Sequence, residues 1–325
     1  LRTRAACAPR RDWCMLPAMT ATTRPDRAEW LLLALALLLL GLSLGYTLKE
    51  NHDYIDRTER DRLQAQARVI EISLGRQIEA VDQALLAAQA ALAAPAGTSS
   101  GPPPSQWLAL LHRTLPGVHT LSHAGADGPV IAASRDDVIG TSLARRPYFK
   151  RAQAQPDPLL LYVAEPHVSA HGVASVALVR VLIGPAGEFA GIVEAALAPA
   201  YFNVVLEAVR YAPDMRALMI HANGRLFLNL PADDAILATD VSQPGSLFRR
   251  HLDSGAQTSV LRGRNLVGED RLVALRTLHR TDLRMDRPLL VSVSRDAAAV
   301  FGPWREVALV RGSIFLVLAL AACVG

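Results

Sequence analysis

From Trp30 to Leu48 the sequence reads WLLLALALLLLGLSLGYTL, a run without a charged side chain. It approaches the roughly 20 apolar residues that a helix needs to cross a bilayer. Trp30 and Tyr46 stand near its ends, where aromatic rings favour the membrane interface. Ser43 and Gly45 would suit a cleaved signal peptide, but the apolar core of such a peptide usually runs to only about 7–15 residues. The run therefore predicts an uncleaved transmembrane helix over residues 30–48. Arg24 and Arg27 precede it, with Arg10 and Arg11 further back, whereas Lys49, Glu50, Asp53, Asp56 and Arg57 beyond it nearly cancel. Positive charge collects on the cytoplasmic side, so residues 1–29 are expected to be a cytoplasmic tail, with translation starting at Met15 or Met19 rather than at Leu1.

A second apolar run, GSIFLVLALAACVG from Gly312 to Gly325, follows Arg311. It is too short to span. A run with no polar face suits lipid better than a one-sided core, so residues 312–325 are read as the truncated start of a second transmembrane helix; a buried C-terminal helix is the alternative.

Two membrane segments leave the intervening residues to fold in water, and 325 residues suffice for about two domains of ordinary size. The net charge of +4 is spread as arginines among acids rather than gathered on one stripe, which argues against a nucleic-acid partner. Cys7, Cys14 and Cys323 all lie outside the enclosed region, so disulfides, cysteine nucleophiles and thiolate metal sites are excluded there.

Asn51 to Leu92 contains no proline and a single glycine, and Leu63, Ala67, Ile70, Leu74, Ile78, Val81, Leu85, Ala88 and Leu92 recur at steps of three and four. That spacing predicts a long amphipathic helix over residues 49–94. Its stripe could serve as a homodimer seam or lie against the protein's own domains. PAGTSSGPPPS (Pro95 to Ser105) is a loop. Beyond a short helix near Trp107 to Leu115, Val118–Ala124 and Val130–Ser134 flank the turn GADGP as a hairpin. Leu159–Val168, Val173–Ile183 and Phe189–Ala198 follow as strands whose connections are too short for crossover helices, which makes the sheet antiparallel. The pattern then restarts, with a helix at Pro199–Arg210, a hairpin around Asn223-Gly224, a helix near Leu247–Leu252 and strands at Gln257–Arg262, Arg271–Arg280 and Leu289–Ser294. This internal repeat predicts an α+β protein of two tandem domains, residues 95–198 (membrane-distal) and 199–295 (membrane-proximal). An exit helix over residues 296–311, capped by Asp296 and containing Gly302-Pro303, leads to the second apolar run.

This organisation resembles the double Cache sensors, also called PDC or PAS-like extracytoplasmic domains, of bacterial transmembrane receptors. The residues that carry the resemblance are TSLARRPYFKRA (Thr141 to Ala152) and the strand-rich stretch from Tyr162 to Phe202. It implies two PAS-like domains on antiparallel sheets, flanked by transmembrane helices in a bacterial inner membrane, with the sensor region in the periplasm. It also implies a small-molecule ligand, held in the distal domain by Arg146, Tyr148 and Phe149, with Tyr162, Glu165, His167 and Ser169 as further contacts. Guanidinium pairs bidentately with a carboxylate, and neighbouring aromatics exclude water, so a small carboxylate would suit Arg146. The bland reading pairs Arg146 with Glu165 or Asp137 and leaves Tyr148 and Phe149 as core.

Relatives that sense amino acids carry further aromatics near this arginine and an aspartate on a later strand that holds the ammonium. Here Thr141, Tyr148, Phe149, His167 and Ser169 stand at the corresponding positions, so an α-amino group lacks an evident counter-ion. His119 with His123 and His167 with His171 fall on strand or turn segments, where four residues span roughly 13 Å, too far for one shared metal. Neither a metal nor a cofactor is expected, and no catalytic motif occurs in the sequence. The resemblance is nearest to sensors attached to GGDEF diguanylate cyclases, then to histidine kinases and chemoreceptors. A membrane-tethered binding or dimerisation protein without output is the reading from another class.

Overall fold

The computed structural model describes residues 27–93, 102–168, 174–233, 240–265, 267–278 and 283–324. It divides into two compact units, one holding the chain up to Lys49 together with Ala308 onward, the other running from Glu50 to Val307.

In the first unit, parts of helix α1 (Arg27–Ala93) and helix α6 (Ala297–Val324) supply the apolar segments. Both helices are long and apolar enough to cross a membrane. They approach closely at Gly41, where an added Cβ would stand 3.0 Å from the Phe315 ring. Helix α6 runs unbroken through Pro303, so the exit helix and the second apolar run form one element.

In the second unit, α1 and helix α2 (Pro104–His112) precede two sheets. The first contains β1 (Val118–Gly125), β2 (Val130–Ala133), β3 (Tyr162–Val163), β4 (His167–Val168), β5 (Ala174–Ile183) and β6 (Phe189–Leu197), with helix α3 (Pro147–Ala154) between β2 and β3. The second contains β7 (Arg216–His221), β8 (Leu226–Leu230), β9 (Thr258–Arg264), β10 (Asp270–Thr277) and β11 (Leu289–Asp296), with helix α4 (Pro199–Ala208) ahead of it and α5 (Leu247–Asp253) inside it. The strand orders are β2-β1-β6-β5-β3, with β4 also on β5, and β8-β7-β11-β10-β9. All the strand pairings are antiparallel. The internal repeat is thus one topology built twice.

Gly128 and Gly224, at φ +94° and +84°, make the two hairpin turns, a backbone region that glycine enters without steric cost. The expected strand over Leu159–Val168 is instead two short ones. Pro166 can donate no ladder hydrogen bond, and the chain leaves the sheet between β3 and β4.

The central strands of each sheet are buried on both faces. On the back, Leu63, Ala67, Ile70, Leu74, Ile78, Val81, Leu85 and Ala88 of α1 are buried in one continuous core with residues of both sheets. These residues therefore cannot form the homodimer seam considered from their spacing; they close the protein's own core. Emptying one such site, as in Leu74→Ala, costs about 2–5 kcal/mol. Acids on α1 meet arginines on the sheets: Asp82 with Arg180 of β5, Glu71 with Arg276 of β10, and Glu59 with Arg295 of β11. The Asp82–Arg180 pair is bidentate, with both hydrogen bonds at 2.8 Å, and almost wholly buried. The front faces are separate: α3 covers one, around Tyr148, Phe149, Val179 and Ile192, and α5 covers the other, around Phe248, Ile220 and Leu290.

Candidate ligand-binding site

The front face of the first sheet collects the chemistry. Pro147 begins α3, and the residue before a proline is pushed toward extended backbone; Arg146 accordingly sits at φ −71°, ψ 134° at the helix start. Tyr148, Phe149 and Ala152 then turn toward the sheet and are buried, while Lys150 stays in solvent. Phe149 packs edge-on against Phe189 with centroids 5.6 Å apart, which fixes the rotation of α3.

Tyr148 reaches the centre of the sheet. Its hydroxyl donates to Glu194 Oε1 at 3.1 Å, and its ring lies 5.9 Å from the His167 ring. Glu194 lies on β6, paired laterally with Ser122 of β1 and Val179 of β5, so it occupies the middle of the face. It is 6% exposed. Burial pushes its carboxyl up to about 7, held back by the Tyr148 hydrogen bond and the field of Arg146. Burial also raises the Tyr148 phenol well above its ordinary value, and Glu194 adds to that. His167 is lowered, first by burial, while its hydrogen bond to the Glu165 carbonyl opposes this and the Arg146 charge reinforces it. Arg146, Tyr148, His167 and Glu194 therefore form one electrostatic cluster.

Sequence reasoning missed Glu194. The available signal was a lone charge inside the otherwise uncharged strand FAGIVEAAL. Its position matters because a carboxylate is what an ammonium group requires, and none was evident from the sequence.

The other expected residues lie near this cluster with different partners. Tyr162 is buried, and its hydroxyl donates to the Gln155 carbonyl and accepts from Asp157 N–H at 3.0 Å, closing the end of α3. Glu165 lies 3.9 Å from Arg151, and Asp137 pairs with Arg135 at 2.7 Å. Ser169, together with the turn holding His171, lies outside the described residues.

Helix α3 also joins the two sheets. Arg151 Nε donates to Asp286 Oδ2 at 3.2 Å and its Nη2 to the Val163 carbonyl at 2.9 Å. Asp286 Oδ1 accepts from Val163 N–H at 2.7 Å, and Leu161 exchanges backbone hydrogen bonds with Arg284 and Asp286. Three residues after Asp286 begins β11, which runs directly into α6.

No protein-family model and no curated protein sequence matches this chain. Solved structures do. The extracellular domain of rpHK1S-Z16, assigned as a histidine kinase, superposes with a TM-score of 0.64 at 22% identity, covering 75% of this chain and 97% of that one. The periplasmic sensory domain of the Campylobacter jejuni chemoreceptor Tlp1 gives 0.64 at 11% identity, covering 77% and 99%. The ligand-binding domain of the Pseudomonas fluorescens chemoreceptor CtaA, in complex with L-isoleucine, gives 0.56 at 16% identity, covering 78% and 98%. The fold shared with these extracellular and periplasmic sensor domains is a long helix carrying two PAS-like antiparallel sheets, here set between two apolar helices.

Proposed function

We propose that this chain is the sensor region of a bacterial transmembrane receptor and that the front face of its first sheet captures an amino acid. The observation that carries the reading is the pairing of opposite charges in one cluster, with Glu194 buried and Arg146 half-buried. Arg146 offers a planar fork to a carboxylate, and Glu194 offers a carboxylate to an ammonium. An ionised acid at the centre of an apolar face is costly unless a cation joins it, so ligand binding relieves what burial imposes. The complex of CtaA with L-isoleucine and that of Pseudomonas aeruginosa PctC with GABA support the same ligand class. Tyr148, His167, Phe149, Tyr162 and Glu165 complete or border the proposed site.

The near-neutral titration of Glu194 favours a second reading. Protonated, the acid would donate a hydrogen bond to a second carboxylate, and the ligand would be a dicarboxylate rather than an amino acid.

Signalling follows from the contacts of α3. A ligand that draws Arg146 and Tyr148 together displaces α3, and Arg151 carries the displacement through Asp286 and β11 into α6. Such coupling needs different affinity in the two states. The output proposed is a GGDEF diguanylate cyclase, with a histidine kinase as the alternative; a coding sequence that continues past Gly325 into another domain type, or that stops, would reject it. The ligand reading is tested by thermal-shift screening of the chain in nanodiscs against L-amino acids, GABA and dicarboxylates. Stabilisation by an amino acid that disappears in Arg146→Ala is expected; equal stabilisation of the variant would overturn the site.

A further inference from the structure

We infer that the front face of the second sheet holds a second ligand site, which takes a small carboxylate with a compact apolar body. A cavity of about 100 Å³ lies there between the sheet and α5. That is room for several waters and is smaller than the roughly 150 Å³ apolar cavity that admits benzene; the cavity opens to solvent, so a ligand of about six to ten non-hydrogen atoms would stand partly in its mouth.

The strand register grades the polarity of the cavity from one end to the other. Across the sheet, Arg216 of β7 stands beside Ser294 of β11, which stands beside Val273 of β10. Arg271 precedes Val273 on the same face, and Arg264 with Asn265 closes that end. One row further along, Leu218 stands beside Ser292, and Ser292 beside Leu275. Beyond them Ile220, Leu226 and Phe248 make an apolar end. Arginines therefore border one end of a cavity whose lining is otherwise largely apolar.

The charges at the cationic end are uneven. Glu269 is shared between Arg216 Nη2 at 3.2 Å and Arg271 Nη1 at 3.3 Å. Arg271 is 4% exposed and donates also to Ser294 Oγ and to the Asp214 carbonyl. The Asp214 carboxylate is held by Arg295 at 2.7 Å, and Asp296 accepts from Ala298 N–H at 2.7 Å. Arg216, Arg264 and Arg271 thus line the cavity, and two of them, Arg216 and Arg271, share the Glu269 carboxylate. Arg216 is only a quarter exposed, its side chain at 26%, so an anion there would be partly desolvated, where charge-assisted hydrogen bonds are strongest. A neutral apolar molecule would fill the far end and leave the arginines unmatched; an inorganic anion would do the reverse. A monocarboxylate such as hexanoate or benzoate matches both.

The test is calorimetric titration of benzoate and hexanoate into the full chain in nanodiscs, with empty nanodiscs as the blank. The Arg146→Ala background removes the carboxylate anchor proposed for the first sheet, so the two sites fail independently. Saturable one-to-one binding is expected, weakened tenfold or more by Arg216→Ala or Arg264→Ala and abolished by Leu218→Trp, which fills the cavity. Hexan-1-ol and phosphate should bind at least tenfold more weakly than hexanoate. Circular dichroism confirms that each variant is folded. Absence of saturable binding, undiminished affinity in both arginine variants, or equal affinity for hexan-1-ol would overturn the inference.

Discussion

Both sheets set their central strand, β6 in one and β11 in the other, beneath a short helix, yet β6 carries Glu194 where β11 carries Ser292 and Ser294. The five-strand paths follow one order, with β4 added to the first sheet, and the middle strands differ in their side chains. On the first face, a carboxyl pushed up to about 7 is matched by a cation at the start of α3. On the second, neutral hydroxyls leave the arginines of the neighbouring strands to set the charge. The two proposed sites thus use one scaffold, and a few residues on the middle strand set the different charges that they offer a ligand.

The backs of the sheets differ in degree, and the largest expected effect tests that. Asp82→Ala leaves Arg180 buried without its partner, a loss of about 3–5 kcal/mol. The corresponding change on the second sheet, Glu71→Ala, concerns a pair whose side chains are 15% and 18% exposed, and should cost about 1–2 kcal/mol. Denaturant unfolding followed by circular dichroism measures both, and equal losses would break the asymmetry.

The second prediction is a pH effect confined to the first sheet. Glu194 titrates near 7 when folded and near its ordinary value of 4.5 when unfolded. Between those values the folded state holds a proton that the unfolded state has released, so stability falls as pH rises from about 4.5 to about 7 and is level above. The change totals roughly 3 kcal/mol. Glu194→Gln should flatten it, which melting curves at pH 5 and pH 8 would record; an unchanged slope would remove Glu194 as its source. Smaller still is the effect of Arg146→Ala on amino-acid affinity, a loss of roughly 1.5–3 kcal/mol, read by calorimetry. Tyr148→Phe removes one hydrogen bond to Glu194 and should cost about 1 kcal/mol in the same titration, the smallest change of the set.

Much of the scaffold was legible because its signals are local. GADGP and HANGR announce hairpin turns, and short connections force antiparallel pairing. The stripe from Leu63 to Leu92 was legible as a helix face, but not its partner, since the same spacing serves a dimer seam and an intramolecular core. Glu194 was illegible for a related reason. Both faces of β6 are buried, so alternation says nothing about which one meets α3, and only the packing of Tyr148 onto it shows that the acid faces the site. Arg146 was singled out through its Arg-Pro-aromatic context, a chain-local pattern that carries the resemblance.

The central claim, that Glu194 receives an ammonium group, is tested most directly by the pH dependence of affinity for the tightest-binding amino acid from the screen. Wild-type affinity should rise about tenfold per pH unit up to about 7 and then level off, with proton release on binding below 7, while Glu194→Gln binds weakly at every pH. Affinity that ignores pH, or that strengthens on acidification, would contradict the account.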